Sequence, residues 1–286
     1  MRFWYNPHHI TWLIDFATVF LMGIVHGITP DEHTWPITFS YSIGSYSTRG
    51  GMRAGLYFSL AFTLQRAIAS ELAYFALAGF LMKPGAEQIV YVIVGVVMLL
   101  SGYFILYRHK TLHLFPWLER LTPALPTDRE TVPVKLALIH GFIAGWGTGA
   151  FATIIYTVIS PRMPSAWIAF MPGLLYGLGT LLMQILIGAA FGRWIERQRL
   201  EEKAKAFIGR FVAGNTLLIG GILFALAGIA ELLDPALADW AMPTGLHVYN
   251  LDSINVALLL IIVVVGGAGG WSIWRAMKRV HDVREV

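Results

Sequence analysis

Apolar residues in this chain come in long, uninterrupted runs. Four stretches, Gln88–Tyr107, Met163–Gly192, Phe211–Ala230 and Ile254–Trp274, contain no charged residue. A bilayer core about 30 Å thick takes about 20 apolar residues of helix. Backbone groups in hydrocarbon must bond within their own segment, so each run predicts a membrane-crossing helix. The pattern predicts seven spans, at 10–28, 54–82, 88–107, 135–160, 165–192, 208–231 and 254–275. The first is irregular: Thr29-Pro30 breaks it, and an uncharged polar-aromatic stretch, Thr34–Thr48, follows. The expected fold class is all-α, a polytopic membrane protein with seven transmembrane helices.

Composition points the same way. Of 286 residues, 56% are hydrophobic and 13% charged, against roughly 25% charged in a soluble domain. The absence of cysteine removes thiol–disulfide chemistry, iron–sulfur clusters and thiolate metal sites. No signal peptide is expected at the start. The net charge of +4 does not call for nucleic acid as a partner, because the placement of the charges explains it. With seven spans, 17 of the 21 basic residues fall on one side, among them Arg49, Arg53, Arg120, Arg197 and Arg279. Three fall on the other, Arg2, Lys83 and Arg162, and Arg66 alone lies within a span. Lys and Arg accumulate in cytoplasmic loops. The chain is therefore expected in the inner (cell) membrane, with its N-terminus outside and its C-terminus cytoplasmic. Arg193–Arg210 reads as a cytoplasmic helical hairpin, and Trp4, Tyr5, Trp167, Trp194 and Trp271 read as interfacial anchors.

The first three spans echo the next three. Ile24-Val25-His26-Gly27 matches Leu138-Ile139-His140-Gly141, and the run from Gly55 to Ala61 matches Gly173 to Gly179. Gly95 and Gly102 match Gly221 and Gly228. Three is odd, so the second triplet inserts upside down, as in the inverted repeats of secondary transporters. The expected division is 1–107 for the first repeat, 108–133 for a cytoplasmic loop, 134–231 for the second repeat, and 232–286 for an outer loop, the seventh helix and a cytoplasmic tail.

Ionisable groups in lipid are costly and mark functional candidates. The densest cluster is His26-Gly27-Ile28-Thr29-Pro30-Asp31-Glu32-His33, two imidazoles and two carboxylates at a helix break. That donor set suits a divalent transition metal, with helix-end capping as the bland alternative. His140 is the repeat partner of His26 and is expected near it. Gly141, Gly145, Gly147 and Gly149 either let helices approach closely or mark an unwound segment, with packing the expected role. Arg66 and Glu71 share the second span and are read as an ion pair or as a gate. Asp15, in the outer third of the first span, reads as an entry-site carboxylate or an interfacial residue. Gln184 and Asn215 read as polar contacts between helices.

The segment His26–His33 resembles the signature of the nickel/cobalt permeases, a His followed by four residues and an Asp-His, with Glu32 standing between Asp31 and His33. Gly55–Thr63 resembles the family's next motif, and His140–Phe151 a later one; other family ligand positions fall on Phe62, Gly147 and Phe151. The same architecture occurs among DsbD- and LysE-type membrane proteins. The resemblance implies a secondary transporter for a divalent transition-metal cation, nickel- or cobalt-like, with His26, Asp31 and His33 as main ligands and His140 and Glu32 beside them. The alternative is a same-fold transporter or exporter of a small anion or amino acid using Arg66 and Glu71. Neither reading is an enzyme or holds a permanent cofactor. The partners are the lipid bilayer and the metal ion, with room for a homo-oligomer.

Overall fold

The computed structural model describes residues 12–108, 136–147, 149–248 and 251–282. Trp4, Tyr5, Arg2 and nearly all of the expected 108–133 loop lie outside them. The first apolar run forms α1 (Trp12–Ile28). It stops just short of Pro30, which has no N–H and disfavours helical geometry in the residue before it. The chain resumes as α2 (Trp35–Gly44), with Pro36 in its first turn, where a missing N–H costs nothing. Every residue from Pro36 to Gly44 is buried, including Thr38, Ser40 and Ser42.

The next helix, α3 (Thr48–Tyr74), is capped by Ser47, whose Oγ accepts from the Gly50 amide at 3.0 Å. It is followed by Ala76 at φ 56 and a short 3-10 turn, Ala78–Met82. The span expected at 54–82 is thus shifted: the helix runs over 48–74, and its far end is a turn. α4 (Ala86–Tyr103) continues into a π turn, Phe104–Arg108.

The span expected at 135–160 is not one helix. It divides into α5 (Leu136–Ala144) and α6 (Ala150–Ile154), the latter prolonged by a π turn to Ile159. Gly145, Trp146, Gly147 and Gly149 lie outside helix between them. Each glycine costs a helix about 1 kcal/mol relative to alanine, so the glycine run weakens the helix where it opens. Gly141 stays in α5 and packs closely on Phe58, as expected, while Gly145, Gly147 and Gly149 lie where the helix opens.

Beyond a single turn, α7 (Ala166–Ala169), come α8 (Met171–Glu196) and α9 (Glu202–Leu233). The Thr48 backbone N–H donates to Glu196 Oε2 at 2.9 Å and the Thr48 hydroxyl donates to the same oxygen, tying the start of α3 to the end of α8. A two-stranded antiparallel hairpin, β1 (Ala241–Pro243) and β2 (Ser253–Asn255), pairs Met242 with Ile254. The last segment is α10 (Val256–Ile261), a π stretch Ile262–Gly269 and α11 (Gly270–Asp282).

Four helical segments, Ala86–Tyr107, Ala166–Glu196, Glu202–Leu233 and Val256–Val280, are long and apolar enough to cross a bilayer, and α1 is a shorter apolar helix. Their outer faces are apolar. Leu60, Leu64 and Ile68 on α3, and Ile222, Leu226, Ile229 and Leu233 on α9, are exposed at helical spacing. The interior instead holds Thr38, Ser59, Gln65, Arg66, Ser70, Thr180 and Gln184. Apolar outer faces around an interior that also holds buried polar side chains suit hydrocarbon solvent. The protein is an all-α membrane protein.

α3 packs chiefly on α8, α4 on α9, α1 on α8 and α5 on α3. The α4–α9 crossing is backbone against backbone. A methyl on Gly95 would meet Gly221 and Ala225, and one on Gly221 would meet Gly95 and Leu99. Likewise Gly102 faces Gly214 and Leu218, while Gly228 faces Gln88 and Val92. Small residues are what allow such approach in lipid, where association rests on packing.

Candidate metal-binding site at two facing helix breaks

Where α1 ends, residues 31–33 turn the chain tightly and stay buried. Asp31 Oδ1 accepts from the His33 backbone N–H at 3.0 Å, and Asp31 Oδ2 lies 3.6 Å from His26 Nδ1, one turn back on α1. Glu32 Oε1 pairs with His33 Nδ1 at 3.0 Å and accepts from the Tyr91 hydroxyl at 3.1 Å. Ligand-capable atoms of Asp31, Glu32 and His33 lie within 4.8 Å of one another. The His26 ring packs against both Phe62 and Tyr176, with centroids at 5.7 and 5.2 Å.

The second break faces the first. A Cβ on Gly147 would fall 2.8 Å from His33 Nε2, and one on Gly145 would fall 2.5 Å from Gln65 Oε1. Arg66 reaches across from α3 and donates Nη1 to the Gly147 carbonyl at 2.9 Å and to the Tyr156 hydroxyl at 3.0 Å. Its guanidinium also stands 4.6 Å from the Phe62 ring centre and 5.5 Å from that of Tyr176. The rings that hold His26 therefore also hold Arg66.

The expected pairing of Arg66 with Glu71 is not made. Five residues of helix turn about 500°, which leaves the two side chains roughly 140° apart. Arg66 finds its partners in the second half of the chain, and Glu71 Oε2 is buried with no hydrogen-bond partner among the described residues. His140 is likewise engaged elsewhere: its Nδ1 lies 3.2 Å from the Tyr41 hydroxyl and 3.2 Å from the Leu136 carbonyl. Asp15 is half-buried on α1 within electrostatic reach of Arg162. Gln184 bridges helices as expected, donating to the Gly27 carbonyl at 3.0 Å and accepting from Thr38 at 2.7 Å. Asn215 bonds within its own helix, to the Phe211 carbonyl at 2.7 Å.

Sequence reasoning missed what lies above the cluster. A cavity of about 560 Å³ has Asp31 and Glu32 in its wall, together with Glu87, Gln88, Tyr91, Glu231, His247 and Asp252. Five carboxylates line it, and no Lys or Arg among the described residues does. Gln88 donates to Glu231 Oε2 at 3.2 Å. In sequence Glu87 and Glu231 merely flank charge-free runs and look like ordinary helix-end charges. The usable signal was that the alternation of spans puts the start of α4, with Glu87, and the end of α9, with Glu231, on one side of the bundle.

Carboxylate and imidazole donors gathered at helix ends suit a divalent transition metal better than an anion. Comparisons with protein-family models, curated proteins and solved structures find no match for this chain.

Proposed function

We propose that the protein is a secondary transporter of a divalent transition-metal cation, bound at the break between α1 and α2. The observation that carries this reading is the pair of facing breaks, with His33 beside the unwound Gly147, Asp31 next to His26, and a carboxylate-lined cavity that Asp31 and Glu32 adjoin. Burying two carboxylates and two imidazoles is costly unless something compensates, and a divalent cation does so directly. Discontinuous helices meeting in the bundle interior are where secondary transporters bind their ions.

Reciprocal packing supports the inverted-repeat reading. The contact of Gly95 with Gly221 and Ala225 maps onto that of Gly221 with Gly95 and Leu99 by one shift of 126 residues (95 to 221, 99 to 225). The same shift carries Gly102 to Gly228, and their partners Gln88 to Gly214. On α3 and α8 a shift of 118 does likewise: Gly55 meets the Gln184 carbonyl, and Gly173 meets that of Arg66. Each half also carries one broken helix. With seven spans and an external N-terminus, the acidic cavity opens outward and collects cations. The resemblance of His26–His33 to the nickel/cobalt permease signature makes nickel and cobalt the first substrates to test. The Arg66–Glu71 alternative for a small anion loses its pair, because Arg66 is committed to Gly147 and Tyr156.

The test is Co²⁺ and Ni²⁺ binding to purified protein and uptake by cells. A His26→Ala, His33→Ala double variant should reach the membrane normally and lose both. Normal transport by that variant removes the metal-site reading.

A further inference from the structure

Glu32 and His33 contact each other through one oxygen and one nitrogen, which fixes what their remaining atoms can do. Glu32 Oε1 is occupied twice, by His33 Nδ1 at 3.0 Å and by the Tyr91 hydroxyl at 3.1 Å. His33 is 5% exposed, and its other ring nitrogen, Nε2, is buried with no hydrogen-bond partner among the described residues. That nitrogen points at the second break, where a Cβ on Gly147 would fall 2.8 Å from it, so only a residue without a side chain lets the ring come this close. Tyr91 comes from α4, is 4% exposed, and packs its ring against His33 at 5.1 Å and against Phe224 at 5.9 Å. It lies in the wall of the acidic cavity as well.

Metal-bound histidines commonly donate their second ring N–H to a carboxylate, which sets the tautomer and aims the ligating nitrogen. We infer that Tyr91 and Glu32 form a positioning relay that holds His33 with its proton on Nδ1 and presents Nε2 to a divalent metal ion beside Gly147. Glu32, read from sequence as a ligand, acts through His33 and leaves direct coordination to His33, Asp31 and His26. Tyr91 holds the carboxylate from the wall of the adjoining cavity. This assignment rests on the proposed metal-transport reading and extends it to two residues, one of which no sequence motif indicated.

The experiment measures Co²⁺ affinity of the purified full-length chain by calorimetry for wild type, Glu32→Gln, Tyr91→Phe, the double variant and His33→Ala. Nitrogen-15 spectra of histidine-labelled, Zn²⁺-loaded wild type, assigned with His33→Ala, accompany it. Loss of an orienting partner weakens metal sites about 10- to 100-fold, the expected result for Glu32→Gln. Tyr91→Phe should cost several-fold. The double variant should be no weaker than Glu32→Gln alone within about two-fold, because Tyr91 works through Glu32. The spectra should show Nδ1 protonated and Nε2 metal-bound. The relay is overturned, with the metal site intact, if His33→Ala abolishes binding while Glu32→Gln leaves it unchanged. It is also overturned if Glu32→Gln loses as much as His33→Ala, or if Tyr91→Phe and Glu32→Gln add independently. Should Glu32→Gln fail to fold, a proton on Nε2 in the wild-type spectra overturns the relay by itself. Absence of Co²⁺ binding by wild type, or unaltered binding by His33→Ala, overturns the relay and the metal-transport reading together.

Discussion

Replacing Gly147 by alanine tests whether the two breaks meet. The added Cβ would stand 2.8 Å from His33 Nε2, 2.9 Å from Cε1 and 3.1 Å from Cδ2. Ordinary carbon contacts begin near 3.5 Å, so either the ring or the break must retreat by roughly 0.5 to 1 Å. The ring is held by Glu32 at 3.0 Å, and the break by Arg66 at 2.9 Å. Retreat stretches one of two charge-assisted hydrogen bonds, each worth about 1.5–3 kcal/mol. At 1.4 kcal/mol per decade, Co²⁺ affinity should fall about 10- to 100-fold. Calorimetric titration of purified Gly147→Ala gives the affinity, and a thermal melt of the same sample gives its stability. Gly266→Ala is the control, since nothing lies within 4 Å of a Cβ there. Wild-type affinity at an unchanged melting temperature in Gly147→Ala would refute the apposition of His33 with the second break.

Because the chain has no cysteine, single introduced thiols report sidedness. The exposed positions Asp239 and Arg199 should label differently: Asp239→Cys with an impermeant reagent in intact cells, and Arg199→Cys only after permeabilisation. The opposite pattern refutes the proposed orientation. Glu87→Gln with Glu231→Gln should slow uptake several-fold at low cation concentration and low salt, with the defect shrinking as salt screens the cavity. Equal uptake rates at low salt would deny the acidic cavity a role in collecting ions. Gln184→Leu removes the bonds to Gly27 and Thr38 and should cost roughly 2 kcal/mol, read as a lowered unfolding midpoint; no change would mean that this bridge contributes nothing to stability.

Features set by local chain chemistry were legible without the fold. Charge-free runs marked the apolar helices, because hydrocarbon demands them wherever backbone cannot meet water. Pro30 fixed the end of α1, and the cluster His26–His33 was legible because its members lie within eight residues. Boundaries that depend on capping drifted: α3 begins at Thr48 because Ser47 caps it, six residues before its apolar run suggested. The rest came from packing, since each contact that matters joins residues far apart in sequence. The glycines from 145 to 149 could pack or unwind; Arg66, 81 residues earlier, donates to a carbonyl of the opened chain. Arg66 and Glu71, five apart on one helix, were open to pairing or gating; Gly147 and Tyr156, from the second half of the chain, take Arg66 instead. Tyr91 and Glu231 carried no motif, and they join the site because α4 and α9 cross at glycines close enough to bring both beside Glu32. A one-dimensional pattern records which groups are costly in lipid, and only packing chooses the partners that offset the cost.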